Sequence, residues 1–228
     1  MRRESSTVVV LVGEVTEGLL AGLSRSVNVA VARAPADGAA QTAGRETARR
    51  ETADREAAGR EAAGREAVAR SSWETGALAL REAARRQSTY VIVPDDPLAD
   101  VAAEWRAMWD GLAGPAAFEA RAAEVLAAWR DKRFELPDYY LVVPGAQSAG
   151  AQSAGTGANM YLGPLRAVRP RRIAVAGMAG DSALQQARLL EALGSLQHGP
   201  WWPPLDELLS AARRFNAAGL AETQPAPA

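Results

Sequence analysis

The sequence contains no cysteine, one histidine (His198) and one lysine (Lys132). The absence of cysteine excludes disulfides, thiolate catalysis and cysteine-ligated zinc or iron–sulfur sites. A single histidine excludes histidine-rich metal sites and leaves a Ser-His-Asp triad only one possible base. A single lysine leaves Walker-A and Schiff-base chemistry one candidate, and no glycine-rich loop precedes that lysine. The chemistry that remains uses carboxylates, arginines, tyrosines and backbone amides.

The charge balance and the apolar runs restrict the partners and the cellular location that we expect. The chain has 26 basic and 27 acidic residues and a net charge of −1, so no overall field attracts nucleic acid or anionic lipid. The apolar run in MRRESSTVVVLVGEV is too short for a signal peptide, and no run reaches the ~18 residues of a membrane span. We therefore expect a cytoplasmic protein that contacts neither membrane nor nucleic acid.

Two repeats interrupt the chain. Residues 44–68 are five tandem pentapeptides with Arg-Glu at each centre, and residues 146–155 repeat AQSAG. Each glutamate precedes an arginine by four residues, which favours a helix, but the glycines in the repeat offset that gain. We expect flexible insertions at 35–70 and 145–158 within a single domain covering 1–222, followed by a disordered tail at 223–228. The alternative for the first repeat is a charged helix that docks onto a partner.

Between the repeats, short apolar runs alternate with helical patterns. Predicted strands are 7–12, 27–34, 89–93, 139–143 and 172–176. Strands that are continuous apolar runs, separated by helices, favour a parallel sheet covered on both faces. The sequence therefore predicts an α/β, three-layer Rossmann-like or flavodoxin-like domain with a mostly parallel five-stranded sheet in the order 2-1-3-4-5. An alternative divides the chain near 111–115 into two lobes.

Ligands of such sheets bind at the carboxyl ends of the strands. The predicted ligand-binding residues are those that follow strands 1, 3 and 5, together with an arginine just before strand 5: Gly13, Glu14, Thr16, Asp95, Asp96, Gly177, Gly180, Ser182 and Arg172. Glycines between a strand and a helix let backbone N–H groups approach a phosphate, and a guanidinium binds one directly.

Three of these residues also form an acidic cluster. Glu14, Asp95 and Asp96 supply the oxygen ligands that Mg²⁺-dependent phosphotransfer requires. The alternative interpretation is structural, because Asp96 directly precedes Pro97 and is well placed to be a helix N-cap. Asp181 is a similar N-cap candidate, and Ser72 is one for the helix predicted at 71–87.

The stretch SSWETGALALREAARRQSTYVIVPDD places Glu74 in a helix and ends the next strand in Val93-Pro94-Asp95. It resembles the nucleoside deoxyribosyltransferase family over about 25 of the 228 residues. That resemblance implies that Glu74 is a catalytic nucleophile attacking the anomeric carbon of a nucleoside. The alternative is a first-turn carboxylate that favours the helix macrodipole.

Trp201 and Trp202 lie between prolines, where they form either a partner-binding patch or a clamp on the last helix. The absence of a strong catalytic motif favours a domain that binds a small nucleotide-like molecule and acts in regulation or interaction. The alternatives are a nucleoside-processing enzyme that uses Glu74, and Mg²⁺-dependent phosphotransfer at Glu14, Asp95 and Asp96. The sequence indicates no particular cofactor.

Overall fold

The structure, a computed structural model, describes residues 6–35, 70–144, 158–177 and 181–223, with side chains described as far as Phe215. The pentapeptide repeat at 44–68, the AQSAG repeat and the predicted tail from 224 onward lie outside these residues. The predictions made for them therefore stay predictions.

Five strands form one sheet in which every neighbouring pair is parallel. The strands are β1 (Thr7–Gly13), β2 (Val29–Val31), β3 (Tyr90–Val93), β4 (Tyr139–Val143) and β5 (Ile173–Val175). Continuous β-branched and aromatic side chains fill the central strands, and all five residues of β4 are buried. The predicted parallel α/β fold is confirmed.

The predicted strand order is wrong. The order is β2-β3-β1-β4-β5, with β3 between β1 and β2. Val8 pairs with Val91 and Val29 pairs with Tyr90. Burial accounts for the edges, which were predicted correctly: β2 and β5 are short and only partly buried, as edge strands are. The arrangement of the apolar strands β1, β3 and β4 between them depends on pairing between segments distant in the chain, which local patterns do not specify.

Six helices surround the sheet within the described residues. They are α1 (Glu17–Ser24), α2 (Ser72–Ala83), α3 (Ala99–Trp109), α4 (Pro115–Arg130), α5 (Ser182–Gly194) and α6 (Leu205–Thr223). A further helical run, here called the broken helix, consists of Ala158–Met160, a π-helical stretch Tyr161–Leu165 and Arg166–Val168. No helix among the described residues combines the length and apolar composition needed to cross a membrane.

Alternate residues of the strands belong to two separate hydrophobic cores, one on each face of the sheet. Val10, Val12, Val91, Val93 and Val142 pack with α2, α3, α4, α6 and the broken helix on one face of the sheet. The intervening residues, such as Val9 and Leu11, pack with α1 and α5 on the other face. This alternation follows from the two-residue side-chain period of a strand and produces the three-layer arrangement. The helices before and after 111–115 contribute to the same core.

Candidate functional site

A cavity of about 350 Å³ opens at the carboxyl ends of β1 and β3. We call it the rim cavity. Three predicted site residues line it: Gly13, Asp95 and Asp96. The remaining lining residues are Leu11, Val12, Val15, Glu17, Leu20, Arg33, Pro94, Ala99, Ala102 and Tyr161.

Gly13 ends β1 in a conformation that only glycine adopts readily, with φ of +111°. A Cβ atom at this position would collide with the backbone carbonyl of Val143 in β4. The same carbonyl accepts a hydrogen bond of 3.1 Å from the N–H of Glu14. The chain therefore turns tightly over the end of β4 and leaves the space above β1 open.

The turn leads directly into α1. Thr16 is the N-cap of α1 and its Oγ1 accepts a hydrogen bond of 3.2 Å from the N–H of Leu19. Gly13 and Gly18 have the spacing of the G-x-x-x-x-G-K-[ST] phosphate-binding loop, a likeness that the sequence analysis missed. However, leucines 19 and 20 occupy the Lys and Ser/Thr positions, and both are buried in the core. This turn therefore lacks the ammonium and hydroxyl groups with which that loop holds phosphates and Mg²⁺.

Asp95 fixes the wall of the cavity on the β2 side. Its Oδ2 accepts a hydrogen bond of 3.0 Å from the N–H of Ala34, which ties the chain after β2 to the end of β3. This contact places Arg33 at the cavity, where its guanidinium donates a hydrogen bond of 2.6 Å to Oε2 of Glu17. This one hydrogen bond lowers the pKa of Glu17 and raises the pKa of Arg33.

Asp96 lies on the floor of the cavity and is one of two buried charged residues among those described. It begins a tight turn in which its Oδ1 accepts a hydrogen bond of 3.0 Å from the N–H of Leu98. The prediction that Asp96 is a helix N-cap is wrong by two residues, because α3 begins at Ala99 and Leu98 is its N-cap. Desolvation raises the pKa of Asp96 from 3.8 to about 6, against the lowering effect of its hydrogen bonds.

The principal partner of Asp96 is Tyr161, whose hydroxyl donates a hydrogen bond to Oδ2. Tyr161 belongs to the π-helical stretch of the broken helix, and its ring packs on Tyr140 at 4.9 Å between centroids. Burial, followed by the negative charge of Asp96, raises the pKa of both tyrosine hydroxyls. The hydroxyl of Tyr140 is buried without a hydrogen-bond partner among the described residues, so Asp96 acts on it as a neighbouring charge.

The sequence analysis did not identify Tyr161, Glu17 or Arg33 as site residues. Tyr161 follows the AQSAG repeat, and Gly163 and Pro164 interrupt the helical pattern around it. The signal that was available is the apolar spacing of Met160, Tyr161 and Leu165, all of which are buried. Glu17 and Arg33 follow β1 and β2, and their contact depends on how the chain beyond those strands packs, which no local pattern indicates.

Glu74 lies at the first turn of α2 and does not line the rim cavity. Its Oε2 accepts hydrogen bonds from the N–H and the Oγ–H of Ser71, at 3.2 and 3.1 Å. Ser71 is the N-cap, so the prediction of Ser72 is wrong by one residue; Ser72 and Asp100 instead exchange two hydrogen bonds that join α2 to α3. These contacts correspond to the structural alternative for Glu74, and its predicted role as a nucleophile stays a prediction.

The loop after β5 lies partly outside the described residues, which include Gly177 and Ser182 but not Gly180. Asp181 is the N-cap of α5, as expected, and accepts a hydrogen bond of 2.7 Å from Leu184. Ser182 approaches α1, because a Cβ atom at Gly18 would lie 3.8 Å from its Oγ. Neither Gly177 nor Ser182 lines the rim cavity.

The acidic residues do not form a metal-binding set within the described parts of the chain. No three His, Asp or Glu side chains there come close enough together to hold a metal ion. Asp95 and Asp96 line the rim cavity, whereas Glu14 does not. The geometry therefore gives no support to the alternative of Mg²⁺-dependent phosphotransfer by Glu14, Asp95 and Asp96.

Arg172 lies before β5, away from the rim cavity, and is buried. Its guanidinium donates hydrogen bonds to the carbonyls of Pro200, Asp138 and Gly199, at 3.0, 3.2 and 2.8 Å. It also lies over the ring of Trp201, at 4.6 Å. These contacts hold the chain before α6 against the sheet; the predicted ligand-binding role of Arg172 stays a prediction.

The two tryptophans differ. Trp202 is buried, and its indole N–H donates a hydrogen bond of 2.7 Å to the carbonyl of Pro137, as the clamp interpretation requires. Trp201 remains 41% exposed. A partner-binding role for Trp201 stays a prediction.

No protein-family model matches the sequence, and no curated protein matches it either. Among solved structures, the chain is similar to NadR protein in complex with NAD and AMP-PNP, with 15% identity and a TM-score of 0.45. It is also similar to NadR protein in complex with NR, with 16% identity and a TM-score of 0.41. Each match covers 88% of this chain but only 53% and 55% of those proteins, so the chain spans little more than half their length.

Proposed function

We propose that the chain is a binding domain that takes a nucleoside-like small molecule in the rim cavity. The observation that carries this proposal is the position of Asp95, Asp96 and the Glu17–Arg33 pair around one cavity at the carboxyl ends of β1 and β3. Its volume of about 350 Å³ falls within the range of small-molecule sites. The carboxyl rim is where parallel α/β sheets bind their ligands.

The charges of the cavity favour a ligand with hydroxyl groups over one with a bare phosphate. Glu17, Asp95 and Asp96 contribute carboxylates, and Arg33 is the single cation among the described residues of the lining. Carboxylates accept hydrogen bonds from ribose hydroxyls, as they do in dinucleotide-binding domains, but repel an anion. The apolar wall formed by Val15, Leu20 and Ala102 suits the face of a base.

The experiment compares nucleosides and nucleotides by thermal shift and calorimetry on the full chain. We expect adenosine, inosine or uridine to raise Tm, the matching 2′-deoxynucleoside to bind less tightly, and the monophosphate to bind no better than the nucleoside. Glu17→Gln should weaken binding at least about fivefold by removing a hydrogen-bonded charge.

Glu119→Gln is the matched control, because Glu119 forms a similar exposed pair with Arg213 at 2.7 Å but lies outside the rim cavity. If no nucleoside raises Tm, or if Glu17→Gln and Glu119→Gln change the affinity equally, the proposal is wrong.

A second candidate is an enzyme that uses Asp96 for proton transfer to a bound nucleoside. The observation that favours it is the pKa of about 6, which suits a group that gives and takes protons near neutral pH. Chromatography of free base released from adenosine, inosine and uridine tests it. Release of free base by the wild type, abolished in Asp96→Asn, would establish the enzyme. If a nucleoside binds but no base is released, the proposal of a binding domain stands instead.

A further inference from the structure

A second and larger cavity, of about 620 Å³, lies at the opposite end of the sheet. We call it the amino-edge cavity, because Ser6 and Val8, at the start of β1, form part of its wall. The other walls are the second half of α2 and the segment 132–138 between α4 and β4. No residue is shared with the lining of the rim cavity.

The floor of the amino-edge cavity is apolar. Ala83, Phe134 and Leu136 are each at most 5% exposed and belong to the main core, and Leu80 packs partly buried against it. A hydrocarbon or aromatic group in the cavity removes from water the apolar surface that these side chains leave open, which is favourable. A ligand of this site therefore has an apolar body.

The mouth of the cavity is mainly cationic. The charged lining residues are four bases and two acids: Arg81, Arg86, Lys132, Arg133, Glu135 and Asp138. Arg86 pairs with Glu82 at 2.9 Å, and Asp138 accepts a hydrogen bond of 2.7 Å from the N–H of Val8. The local excess of positive charge is therefore small and suits a ligand with a single negative charge.

Arg81 and Arg133 join the two walls of the cavity. One guanidinium nitrogen of Arg81 donates a hydrogen bond of 2.8 Å to the carbonyl of Arg133, so Arg81 reaches across from α2 to the 132–138 segment. Arg133 in turn lies over the ring of Trp73, at 4.3 Å. The guanidinium of Arg81 thereby lies at the mouth of the cavity, and a guanidinium has five N–H donors, more than this one bond uses.

Lys132 occupies a backbone position where glycine is the usual residue. It has φ of +56° and follows the C-cap of α4, and the N–H groups of Lys132 and Arg133 close the helix on the carbonyls of Trp129 and Ala128. A side chain at this position is less favourable than glycine, because the left-handed conformation brings Cβ close to the backbone. The one lysine of the chain thus occupies a strained position at the mouth of the cavity.

We propose that the amino-edge cavity binds a small amphipathic carboxylate. Its hydrocarbon or aromatic body covers Leu80, Phe134 and Leu136, and its carboxylate meets the guanidinium of Arg81 and the ammonium of Lys132. The site is independent of the rim cavity, since the two lie at opposite ends of the sheet.

The experiment titrates the full chain with decanoate by calorimetry, and with decanol and decyltrimethylammonium as neutral and cationic probes with the same hydrocarbon chain. We expect decanoate to bind at least tenfold more tightly than decanol, and the cationic probe to bind less tightly than either. Arg81→Gln should weaken decanoate binding at least fivefold. The matched control is Arg85→Gln, just beyond the end of α2, because Arg85 is not part of the lining.

Lys132→Gly separates binding from stability. It removes the strain and should raise Tm, while weakening decanoate binding at least threefold. A purely structural role for Lys132 would raise Tm and leave the binding unchanged, and that result counts against the proposal. It is also overturned if decanoate binds no better than decanol, or if Arg81→Gln and Arg85→Gln have the same effect.

Discussion

Tyr161 donates a hydrogen bond from its hydroxyl to Oδ2 of Asp96, and both residues are buried at the floor of the rim cavity. The two residues are 65 positions apart in the chain. The contact joins the end of β3 to the π-helical stretch of the broken helix. It therefore couples the position of the broken helix at the cavity floor to the protonation state of Asp96.

Asp96→Asn should change the pH dependence of stability. Because burial raises the pKa of Asp96 from 3.8 to about 6, the folded state binds the proton more tightly than the unfolded state. The stabilisation is complete below pH 3.8 and is lost as the pH rises through about 6, amounting to about 3 kcal/mol. We expect the free energy of unfolding of Asp96→Asn, relative to the wild type, to rise by up to that amount across this range, as measured by urea denaturation.

Tyr161→Phe should move the pH at which the protein loses this stabilisation to a higher value, as measured by the same urea denaturation series. The hydrogen bond from Tyr161 lowers the pKa of Asp96, so its loss should move the wild-type transition to higher pH. If instead the free energies of unfolding of the wild type and Asp96→Asn vary with pH in the same way, the carboxyl of Asp96 does not titrate in this range.

Gly13→Ala should destabilise the protein by more than about 2 kcal/mol, because it combines an unfavourable φ with a collision against the carbonyl of Val143. Gly111→Ala is the matched control: Gly111 also has a positive φ, of +71°, but a Cβ atom there has nothing within 4 Å. We expect that control to cost only about 1 kcal/mol. Equal losses in chemical denaturation would show that the turn over β4 has room for a side chain.

Glu74→Ala should lower the free energy of unfolding by about 1 kcal/mol, because it removes the acceptor for the N–H and hydroxyl of Ser71. Glu74→Gln retains an acceptor oxygen and should recover most of that loss. A nucleophile behaves differently, since Gln cannot attack an anomeric carbon. Base release by the wild type that is lost in the stable Glu74→Gln variant would therefore contradict the purely structural role.

Arg172→Lys should destabilise the protein by about 2 kcal/mol although the charge is retained. The guanidinium binds three carbonyls and lies between the rings of Tyr139 and Trp201, at 5.0 and 4.6 Å, an arrangement that one ammonium cannot reproduce. The indole of Trp201 should become more accessible to solvent, so that iodide quenches the tryptophan fluorescence of the protein more strongly. Arg171→Lys is the control, since Arg171 is exposed and its hydrogen bond to the carbonyl of His198 is long, at 3.5 Å.

The strands and the edge of the sheet that carries the rim cavity could be predicted from the sequence. The continuous apolar run at 8–12 is buried on both faces of the sheet, and such runs separated by helical segments are typical of the parallel arrangement that the structure shows. Gly13, Asp95 and Asp96 could be identified because Gly13 is the last residue of a buried strand and the two aspartates lie within three residues of the end of another. The predicted order 2-1-3-4-5 also placed β3 beside β1, so their meeting at one edge could be predicted. It did not contain the pairing of β2 with β3 or of β1 with β4.

The residues that escaped prediction are those whose partners are distant in the chain. Arg33 reaches Glu17 only after β2 has joined the sheet, and Tyr161 reaches Asp96 only after the broken helix has packed on the main core. The position of Lys132 at the amino-edge cavity likewise depends on how the 132–138 segment packs against α2. Local patterns carry no information about such contacts.

The sequence by itself determined the parallel three-layer fold, the carboxyl edge as the place for ligands, and the absence of cysteine and of a second lysine or histidine. These follow from side-chain chemistry and from the period of apolar residues, which are local properties. Only the tertiary structure decided the strand order, the burial of Asp96 beside Tyr161 and the existence of two cavities at opposite ends of the sheet. The reason is that burial and the charges around a cavity are sums over neighbours from distant parts of the chain, and packing selects those neighbours.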